Sequence, residues 1–542
     1  SLVQSTTPGR VYQDLLILGS ATNEGYGSAP GDIRAYDVRT GRLVWTFHTI
    51  PHPGEFGYDT WPKDAWRTAG GANSWTELSL DQKRGIVYVP TASPKYNFYG
   101  GDRKGADLFG DCLLALDART GKRLWHFQMV HHDIWDYDNA TAPMLLTVRH
   151  NGESVDAVAQ AGKQGFLWVF NRVNGQPLWP IEERSVRASD VPGEQTWPTQ
   201  PFPLKPPPFA RQEFTERDLS PYISDPAERA RFADEIRKAR NNGLFTPPAL
   251  ENTIEMPGNN GGSNWGGAAV DPRNGTLFVV SKDLPCMLKL EPERTAPITS
   301  AVSAAVRGRL LYEANCQWCH LPDRAGEPPA VPSLVHVNAS LTEEQIKSTV
   351  RQGQGSMPAF PKLSREDIDA LAEFLYHPDR AASEIVPKPS PVATGTRYVS
   401  GFGFMFTRSG LSPIAPPWTS LTAYDLNAGT IKWKVPLGDV PELAERGITD
   451  TGTMFPKVGP VVTAGGLIFT GTRDKKVRAL DEETGKVIWE KQLDTALEGI
   501  PAVYEAGGRE YIVFCAAAVP LVYPPSEAPV EGKYIAFALP RH

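Results

Sequence analysis

Apolar and polar positions alternate along most of this chain in short runs that end at tight-turn signals. Runs such as GIVYVPTAS, GGLIFTGTR and REYIVFCAA have the length of one strand and the period of two that is typical of sheets. Among them recurs a segment of the form AYDVRTGRLVW, in which an apolar pair and an acidic residue precede a glycine turn and a tryptophan follows. This segment predicts a hairpin, because the glycine supplies the positive φ that a short turn needs.

The hairpin signature is repeated along the chain. Its clear copies end at Trp45, Trp125, Trp179, Trp433 and Trp489, and a weaker copy without tryptophan, AVDPRNGTLFVV, covers residues 269–280. Each tryptophan is expected to pack as an anchor between adjacent sheets. Repeated four-stranded sheets arranged radially form a β-propeller, which we predict here. A β-sandwich with a chance similarity between turns is the alternative.

Residues 301–387 break this pattern. SAAVRGRLLYEAN and SREDIDALAEFLYHP show the three- and four-residue spacing of amphipathic helices, and a capping box from Ser340 to Glu343 predicts another helix between them. The predicted organisation is therefore a first propeller part at 1–300, a small all-α domain at 301–387 and a last propeller part at 388–542. Residues 181–260 are Pro-rich and predict a long loop with one helix, PAERARFADEIRKARNNG.

A CxxCH motif lies in the helical insertion. Cys316 and Cys319 are spaced to form thioethers to a haem, and His320 follows as the proximal iron ligand. Met357, in GQGSMPAF, is expected to be the distal ligand, which suits electron transfer at raised potential. A zinc or redox CxxC is the alternative. The segment resembles a small class I cytochrome c, a resemblance that implies covalent haem c and attachment of the haem outside the cytoplasm.

Composition and charge argue against several classes of protein. The 542 residues carry a net charge of −7, so a non-specific polyanion binder, and with it nucleic-acid binding, is not expected. No apolar run reaches the length of about 18 residues that a transmembrane helix needs, and SLVQSTTPGR does not have the pattern of a signal peptide. Three cysteines outside the motif, Cys112, Cys286 and Cys515, are read as buried apolar residues, with one disulfide among them left open.

The propeller segments resemble the dehydrogenases that use pyrroloquinoline quinone (PQQ), and within them the membrane-type glucose dehydrogenase branch. The resemblance covers residues 10–300 and 400–540 and is carried by GGANSW, VHHDIWDYD, AGKQGFLWVFNR, GLFTPPALENTIEMPGNNGGSNWGG and TAGGLIFTGTRD. It implies an eight-bladed propeller. Because the visible repeats are too few for eight blades, N-terminal blades are expected to be missing, together with a cofactor-binding histidine of the family.

The same resemblance implies an oxidase site. Trp75 matches the tryptophan that stacks on the quinone, Asp136 the catalytic aspartate and Lys163 the lysine beside the ring. A carboxylate takes the proton of an alcohol while a hydride moves to the quinone, and a lysine stabilises the oxyanion that develops there. Asp133 or Asp138 is the alternative base, and core packing (Trp75) or a surface loop (Lys163) is the alternative structural role.

Further cofactor contacts are expected by resemblance. Asn23 and Glu24 are the candidate Ca²⁺ ligands, with Ser93 as a further contributor, although all three residues could merely cap turns. Ser281 or Lys282 stands where the family has an asparagine near the ring. Asp474 lies where the family has a carboxylate close to the cofactor, and a salt-bridged surface turn is its alternative.

These observations predict a quinohaemoprotein that oxidises a sugar or alcohol hydroxyl with PQQ and Ca²⁺ and passes electrons to haem c. An external acceptor (a cytochrome, a quinone or an oxidase) is expected as partner, and a periplasmic or otherwise exported location. A quinohaemoprotein alcohol dehydrogenase and a non-catalytic propeller scaffold or electron relay are the alternatives.

Overall fold

The structure is a computed structural model that describes most of the chain. The described residues are 3–6, 8–293, 303–316, 320, 324, 326, 331–354, 357, 359–360, 363–382, 396–516 and 532–539. Within them, six antiparallel sheets of three or four strands follow one another along the chain.

The first three sheets are built from the N-terminal third of the chain. Its strands are β1 (Arg10–Tyr12), β2 (Leu15–Leu18), β3 (Ile33–Asp37), β4 (Leu43–Phe47), β5 (Gly70–Gly71), β6 (Ser79–Asp81), β7 (Ile86–Pro90), β8 (Pro94–Lys95), β9 (Cys112–Asp117), β10 (Arg123–Gln128), β11 (Met144–His150), β12 (Glu153–Ala161) and β13 (Leu167–Asn171). Strands β1 to β4 form the first sheet, β6, β7, β9 and β10 the second, and β11 to β13 the third, while β5 pairs with β8.

The remaining strands form three more sheets and three two-stranded ribbons. They are β14 (Ile181–Ser185), β15 (Thr199–Pro203), β16 (Thr253–Glu255), β17 (Ala268–Asp271), β18 (Thr276–Lys282), β19 (Cys286–Leu288), β20 (Glu291–Pro292), β21 (Tyr398–Val399), β22 (Thr419–Asp425), β23 (Thr430–Pro436), β24 (Val461–Val462), β25 (Leu467–Gly471), β26 (Lys476–Asp481), β27 (Val487–Gln492), β28 (Leu497–Ala506), β29 (Arg509–Ala516) and β30 (Lys533–Phe537). The fourth sheet contains β17, β18, β22 and β23, the fifth β24 to β27 and the sixth β28 to β30.

Helices are few outside the insertion. The α-helices are α1 (Ala65–Thr68), α2 (Pro226–Lys238), α3 (Ala304–Asn315), α4 (Glu343–Gln352), α5 (Arg365–Tyr376), α6 (Pro378–Ala382) and α7 (Pro441–Ala444). Helix α2 is the one predicted inside the long Pro-rich loop. Among the described residues, no helix combines the length and the apolar character needed to cross a bilayer.

Tryptophans of the repeated hairpins join neighbouring sheets, as predicted. The indole of Trp45 donates to the carbonyl of Ala118 in the second sheet at 3.2 Å, and Trp433 donates to Glu482 in the fifth sheet at 3.1 Å. In the hairpin of that fifth sheet, Gly485 has a φ of 71°, and a Cβ there would lie 2.7 Å from the Trp433 ring. The motif therefore forms both the turn within one sheet and the contact between two sheets.

The weaker copy of the signature has a different place from the clear ones. It forms β17 and β18, the first half of the fourth sheet, and the clear copy that ends at Trp433 forms the second half. Leu277 pairs with Tyr424 across the centre of this sheet. The insertion thus interrupts one sheet in sequence. The chain enters the insertion after β20 and comes back from it at β21, and Pro292 of β20 pairs with Tyr398 of β21.

The insertion folds as helices around its own core. Buried side chains of α3, α4 and α5, including Tyr312, Ile346 and Leu371, pack together there. One detail of the prediction is wrong: the capping box uses Thr342 and Gln345 instead of Ser340 and Glu343. Ser340 instead closes the short 3-10 turn Val337–Ala339 that precedes α4. Blades beyond the six described sheets stay a prediction.

Candidate active site

Three connecting segments bring the predicted site residues together. The loop between β10 and β11 carries Asp136 and Asp138, the turn between β12 and β13 carries Lys163, and the segment between β5 and β6 carries Trp75. Asp136, Asp138 and Lys163 are each at most 5% exposed, and Trp75 is half-buried. Because they lie far apart in sequence, the sheets, not local structure, hold them as one group.

Lys163 is shared by two carboxylates. Its Nζ lies 2.9 Å from Oδ2 of Asp136 and 2.8 Å from Oδ2 of Asp138. Trp75 joins the same group, since its indole Nε1 donates to Oδ2 of Asp138 at 3.1 Å. We call these four residues the lysine–aspartate cluster.

The two carboxylates of the cluster differ in electrostatics. Burial and the charge of Asp138 raise the pKa of Asp136 well above its usual range, although Lys163 opposes the shift. Burial also tends to raise the pKa of Asp138, but the ammonium groups of Lys163 and Lys95 outweigh burial and lower this pKa to about 2. One carboxylate is therefore a fixed anion and the other a stronger base than an ordinary aspartate.

Hydrogen bonding favours Asp136 over the alternative bases. The carboxylate of Asp133 accepts from the backbone N–H groups of Trp135 and Tyr137, both at 2.7 Å, and from Ser93. Asp138 accepts from Lys163, from Trp75 and from the backbone N–H of Ser93 at 2.8 Å, and the single hydroxyl proton of Ser93 lies between Asp138 and Asp133. For Asp136, among the described residues, only the two lysines approach the carboxylate, which leaves oxygen lone pairs for a substrate hydroxyl.

Two residues that contact Lys163, Asp136 and Gly261, have a backbone conformation with positive φ. Asp136 has a φ of 58°, in the left-handed region that non-glycine residues seldom adopt and that is often found at functional sites. Gly261, with a φ of 81°, passes so close that a Cβ would lie 2.4 Å from Cγ of Lys163. The GG pair of the NNGGSNW segment thus lets a second loop pack against the lysine.

The predicted Ca²⁺ ligands lie beside a lysine that the sequence did not single out. Lys95, 6% exposed, places its Nζ 2.6 Å from Oε2 of Glu24 and 3.9 Å from Oδ1 of Asp136. Asn97 also donates to Glu24 at 3.1 Å, and Asn23 is exposed. The ammonium group thus bridges two carboxylates of the kind that would hold a divalent cation, so Glu24 fits the ion only if Lys95 shares or releases it.

Ser281 and Lys282 line a small cavity, whereas the carboxylate of Asp474 already accepts hydrogen bonds from other residues of the protein. The cavity is also lined by Trp265, whose ring centre lies 5.3 Å from that of Trp75. The carboxylate of Asp474 forms an ion pair with the buried Arg478 and accepts from the backbone N–H of Asp439 at 3.1 Å. Its cofactor role stays a prediction, and its structural role is to anchor a turn of the fifth sheet.

The haem motif has a buried histidine with a fixed orientation. Nδ1 of His320 lies 3.0 Å from the carbonyl oxygen of Pro332, so Nδ1 carries the proton and Nε2 is left as the iron-binding atom. Cys316 belongs to the helical core, and Met357 packs against that core. These residues fit a haem, while Cys319 lies outside the described residues. Cys112, Cys286 and Cys515 are unpaired thiols.

Comparison with known families decides the assignment. The family profile described as PQQ: glucose/ethanol/alcohol dehydrogenase, beta-propeller domain, matches residues 1–316 and 357–512. The chain belongs to the PQQ-dependent dehydrogenase family. A second profile, described as cytochrome c oxidase, cbb3-type, subunit III, matches residues 303–375. The predicted recognition, the propeller fold and the inserted cytochrome domain are confirmed.

Curated relatives of this chain are named as dehydrogenases of several different substrates. The quinate/shikimate dehydrogenase (quinone) of Acinetobacter baylyi is 27% identical over 97% of this chain and 56% of its own length. The glycerol dehydrogenase large subunit of Gluconobacter oxydans is 28% identical over 100% of this chain and 64% of its own length. The chain thus spans somewhat more than half the length of these relatives.

Solved structures agree on the fold. The quinohemoprotein alcohol dehydrogenase of Comamonas testosteroni matches with a TM-score of 0.56 at 18% identity, covering 98% of this chain and 59% of that one. The two family profiles agree with PQQ as the cofactor of the propeller and with haem c in the helical domain.

Proposed function

We propose that this protein oxidises the hydroxyl group of a sugar or alcohol and passes the electrons to its own haem c. The observation that carries the proposal is the lysine–aspartate cluster, in which one buried lysine holds two carboxylates of opposite pKa shift. Such a pair of unlike carboxylates is characteristic of a site where one group takes up a proton.

Asp136 is the proposed base. Its raised pKa strengthens its attraction for the hydroxyl proton, and its free lone pairs leave room for that hydroxyl. When bound, PQQ accepts the hydride from the carbon that carries the hydroxyl. Lys163, kept protonated by Asp136 and Asp138, stabilises negative charge that develops beside it. Asp138 fixes the position of Lys163 and of the Trp75 indole.

The proposed cofactor contacts extend from this cluster. Trp75 would hold the quinone, with Ser281 and Asp474 as the further predicted contacts. Glu24 and Asn23 are the proposed ligands of Ca²⁺. The unlike substrates named for the relatives, quinate or shikimate, glycerol and glucose, share an alcohol hydroxyl, which supports this substrate class.

Electrons leave through the helical domain. Cys316 and Cys319 are the proposed thioether attachments, and His320 and Met357 would hold the iron, which would supply one-electron transfer. An external electron acceptor completes the cycle. We also propose a periplasmic or otherwise exported location, since c-type haem is attached outside the cytoplasm.

The test is the substitution Asp136→Asn in full-length protein loaded with PQQ and Ca²⁺. It keeps the shape of the side chain but removes the base, so we expect kcat to fall about 100-fold or more. Reduction of the haem by glucose, glycerol or ethanol, followed by its absorption spectrum, measures the effect. The exposed Asp14→Asn is the matched control. Full activity in Asp136→Asn would falsify the assignment, and absence of haem reduction with every alcohol and sugar in the wild type would contradict the proposed function.

A further inference from the structure

A small cavity lies beside the lysine–aspartate cluster and has its own charged lining. It is formed by the segment before β17, the end of β18 and the segment before β24, which contribute Asn264, Trp265, Val280, Ser281, Lys282, Pro456 and Val458. Trp265 connects the cavity to the active site, since its ring packs against Trp75. Trp75 in turn donates to Asp138, so the two tryptophans link the cavity to the lysine–aspartate cluster.

Lys282 is buried in this cavity without an acidic partner. It is 5% exposed, and within the described ranges no carboxylate lies within 4.0 Å of its ammonium group. The carboxylate of the next residue in sequence, Asp283, forms an ion pair with Arg211 at 2.7 Å. Burial, together with the like charges of Lys163, Lys457 and Arg473, lowers the pKa of Lys282 to about 7.

Positive charge at the cavity is not confined to Lys282. Nζ of Lys457 lies 5.6 Å from the centre of the Trp265 ring, and it too has no carboxylate within 4.0 Å in the part of the chain that the structure describes. Arg473, by contrast, is paired with Glu498 at 2.5 Å. A second uncompensated lysine thus stands between two residues of the cavity lining, Pro456 and Val458.

A buried ammonium group without a counter-ion is unfavourable, and an anion in hydrogen-bond contact removes the penalty. A carboxylate suits this site because it accepts charge-assisted hydrogen bonds from Lys282 and a hydrogen bond from the Ser281 hydroxyl. The cavity volume is about 10 Å³, so only the carboxylate end of a substrate would enter it. A neutral sugar or alcohol would leave Lys282 unpaired. The cavity therefore discriminates by charge.

We propose that Lys282 binds a carboxylate group of the substrate, so that this enzyme oxidises a hydroxy acid. The inference rests on the proposed function, because it places the carboxylate beside the cluster whose Asp136 receives the hydroxyl proton. PQQ also carries carboxylates, so the experiment must separate the two sources.

The experiment compares matched pairs of substrates in the PQQ- and Ca²⁺-loaded full-length protein at pH 6. The pairs are glycerate with glycerol and gluconate with glucitol, in each of which a carboxylate replaces a terminal CH₂OH group. For the wild type we expect kcat/KM to be higher for the charged member of at least one pair. In Lys282→Met we expect the ratio of KM for that acid to KM for its neutral counterpart to rise about 10- to 100-fold, the usual effect of losing a charge-assisted hydrogen bond. Lys432→Met, an exposed lysine of β23 paired with Glu483, is the matched control.

Three outcomes would overturn the proposal. One is preference for the neutral member in both pairs. Another is an equal loss of activity toward acids and neutral substrates accompanied by weaker PQQ binding, measured by titrating PQQ into the metal-loaded protein, which would assign Lys282 to the cofactor. The third is unchanged binding of glycerate and gluconate in Lys282→Met by calorimetry. Calorimetric binding needs no turnover, so failure of the oxidase function itself is recognised separately, by a haem that no substrate reduces.

Discussion

The burial of Lys282 destabilises the protein when no anion is bound. Its pKa falls from 10.5 to about 7 in the folded state, and each unit corresponds to about 1.4 kcal/mol. Below pH 7 the side chain is charged in both folded and unfolded protein, so the whole penalty is present. Between pH 7 and 10.5 the unfolded state holds the extra proton, and stability therefore rises with pH.

We accordingly expect Lys282→Met to melt at a higher temperature than the wild type when both lack PQQ and substrate. The gain in unfolding free energy should be a few kcal/mol at pH 6, as an order of magnitude, and should shrink as the pH rises toward 10. Calorimetric melting across this pH range measures it. A gain that is the same at pH 6 and pH 10 would show that apolar packing of the methionine, and not the removed charge, is responsible.

At the residue scale, sequence reasoning reached some site residues and not others. Trp75, Asp136 and Lys163 stand in segments that resemble a family, and the structure brings them to one cluster. Lys95 was missed, because nothing local distinguishes a lysine that meets Glu24 71 residues away. Lys282 was noted only as a substitute for an asparagine, since its burial and the absence of a carboxylate beside it are properties of the folded chain.

At the scale of elements, the hairpin glycine and the tryptophan act together. Gly485→Ala is expected to lower stability through two effects: a positive φ of 71° and a Cβ 2.7 Å from the ring of Trp433. The conformational effect alone is about 1–2 kcal/mol. Gly152→Ala provides the matched control, since that hairpin glycine has a φ of 85° but open space around it.

We therefore expect Gly485→Ala to reduce the melting temperature more than Gly152→Ala does, with the difference reporting the contact between the fourth and fifth sheets. Thermal melting followed by circular dichroism measures both. Equal losses in the two variants would mean that the tryptophan shifts freely and that the inter-sheet contact contributes little.

The sheets were predictable because each hairpin carries its signals locally: an apolar strand, a turn glycine and a tryptophan. The strand pairing within the fourth sheet could not be predicted. Leu277 pairs with Tyr424, the whole insertion separates the two residues in sequence, and no local pattern encodes such a distant partner. The start of α4 was missed by two residues for another reason. Ser340 and Thr342 both have capping side chains, and the 3-10 turn before the helix decides between them.

At the scale of the whole molecule, the cytochrome domain is built into a blade instead of being appended to the propeller. The β20–β21 ribbon holds both ends of the insertion, and Glu293 donates its backbone N–H to the carbonyl of Arg397 at 2.7 Å. Lys282 and Thr419 pair at the end of β18 and β22, the two central strands of the fourth sheet, and Lys282 lines the proposed substrate cavity. In sequence the insertion therefore lies between β18 and β22, the two central strands of the sheet that carries Lys282.

This connection predicts that haem reduction is an intramolecular step. A tether at both ends keeps the haem at a high effective concentration near its electron donor, so encounter between molecules is not needed. After rapid mixing of the loaded enzyme with saturating substrate, the rate constant for haem reduction should be unchanged when the protein is diluted tenfold. The Asp136→Asn variant, which should not reduce its own haem, provides the control. When it is mixed with a small amount of wild type, its haem should be reduced only at a rate proportional to the wild-type concentration. A rate constant for the wild type alone that falls in proportion to dilution would mean that electrons pass between molecules, and the insertion would then serve assembly and not electron transfer.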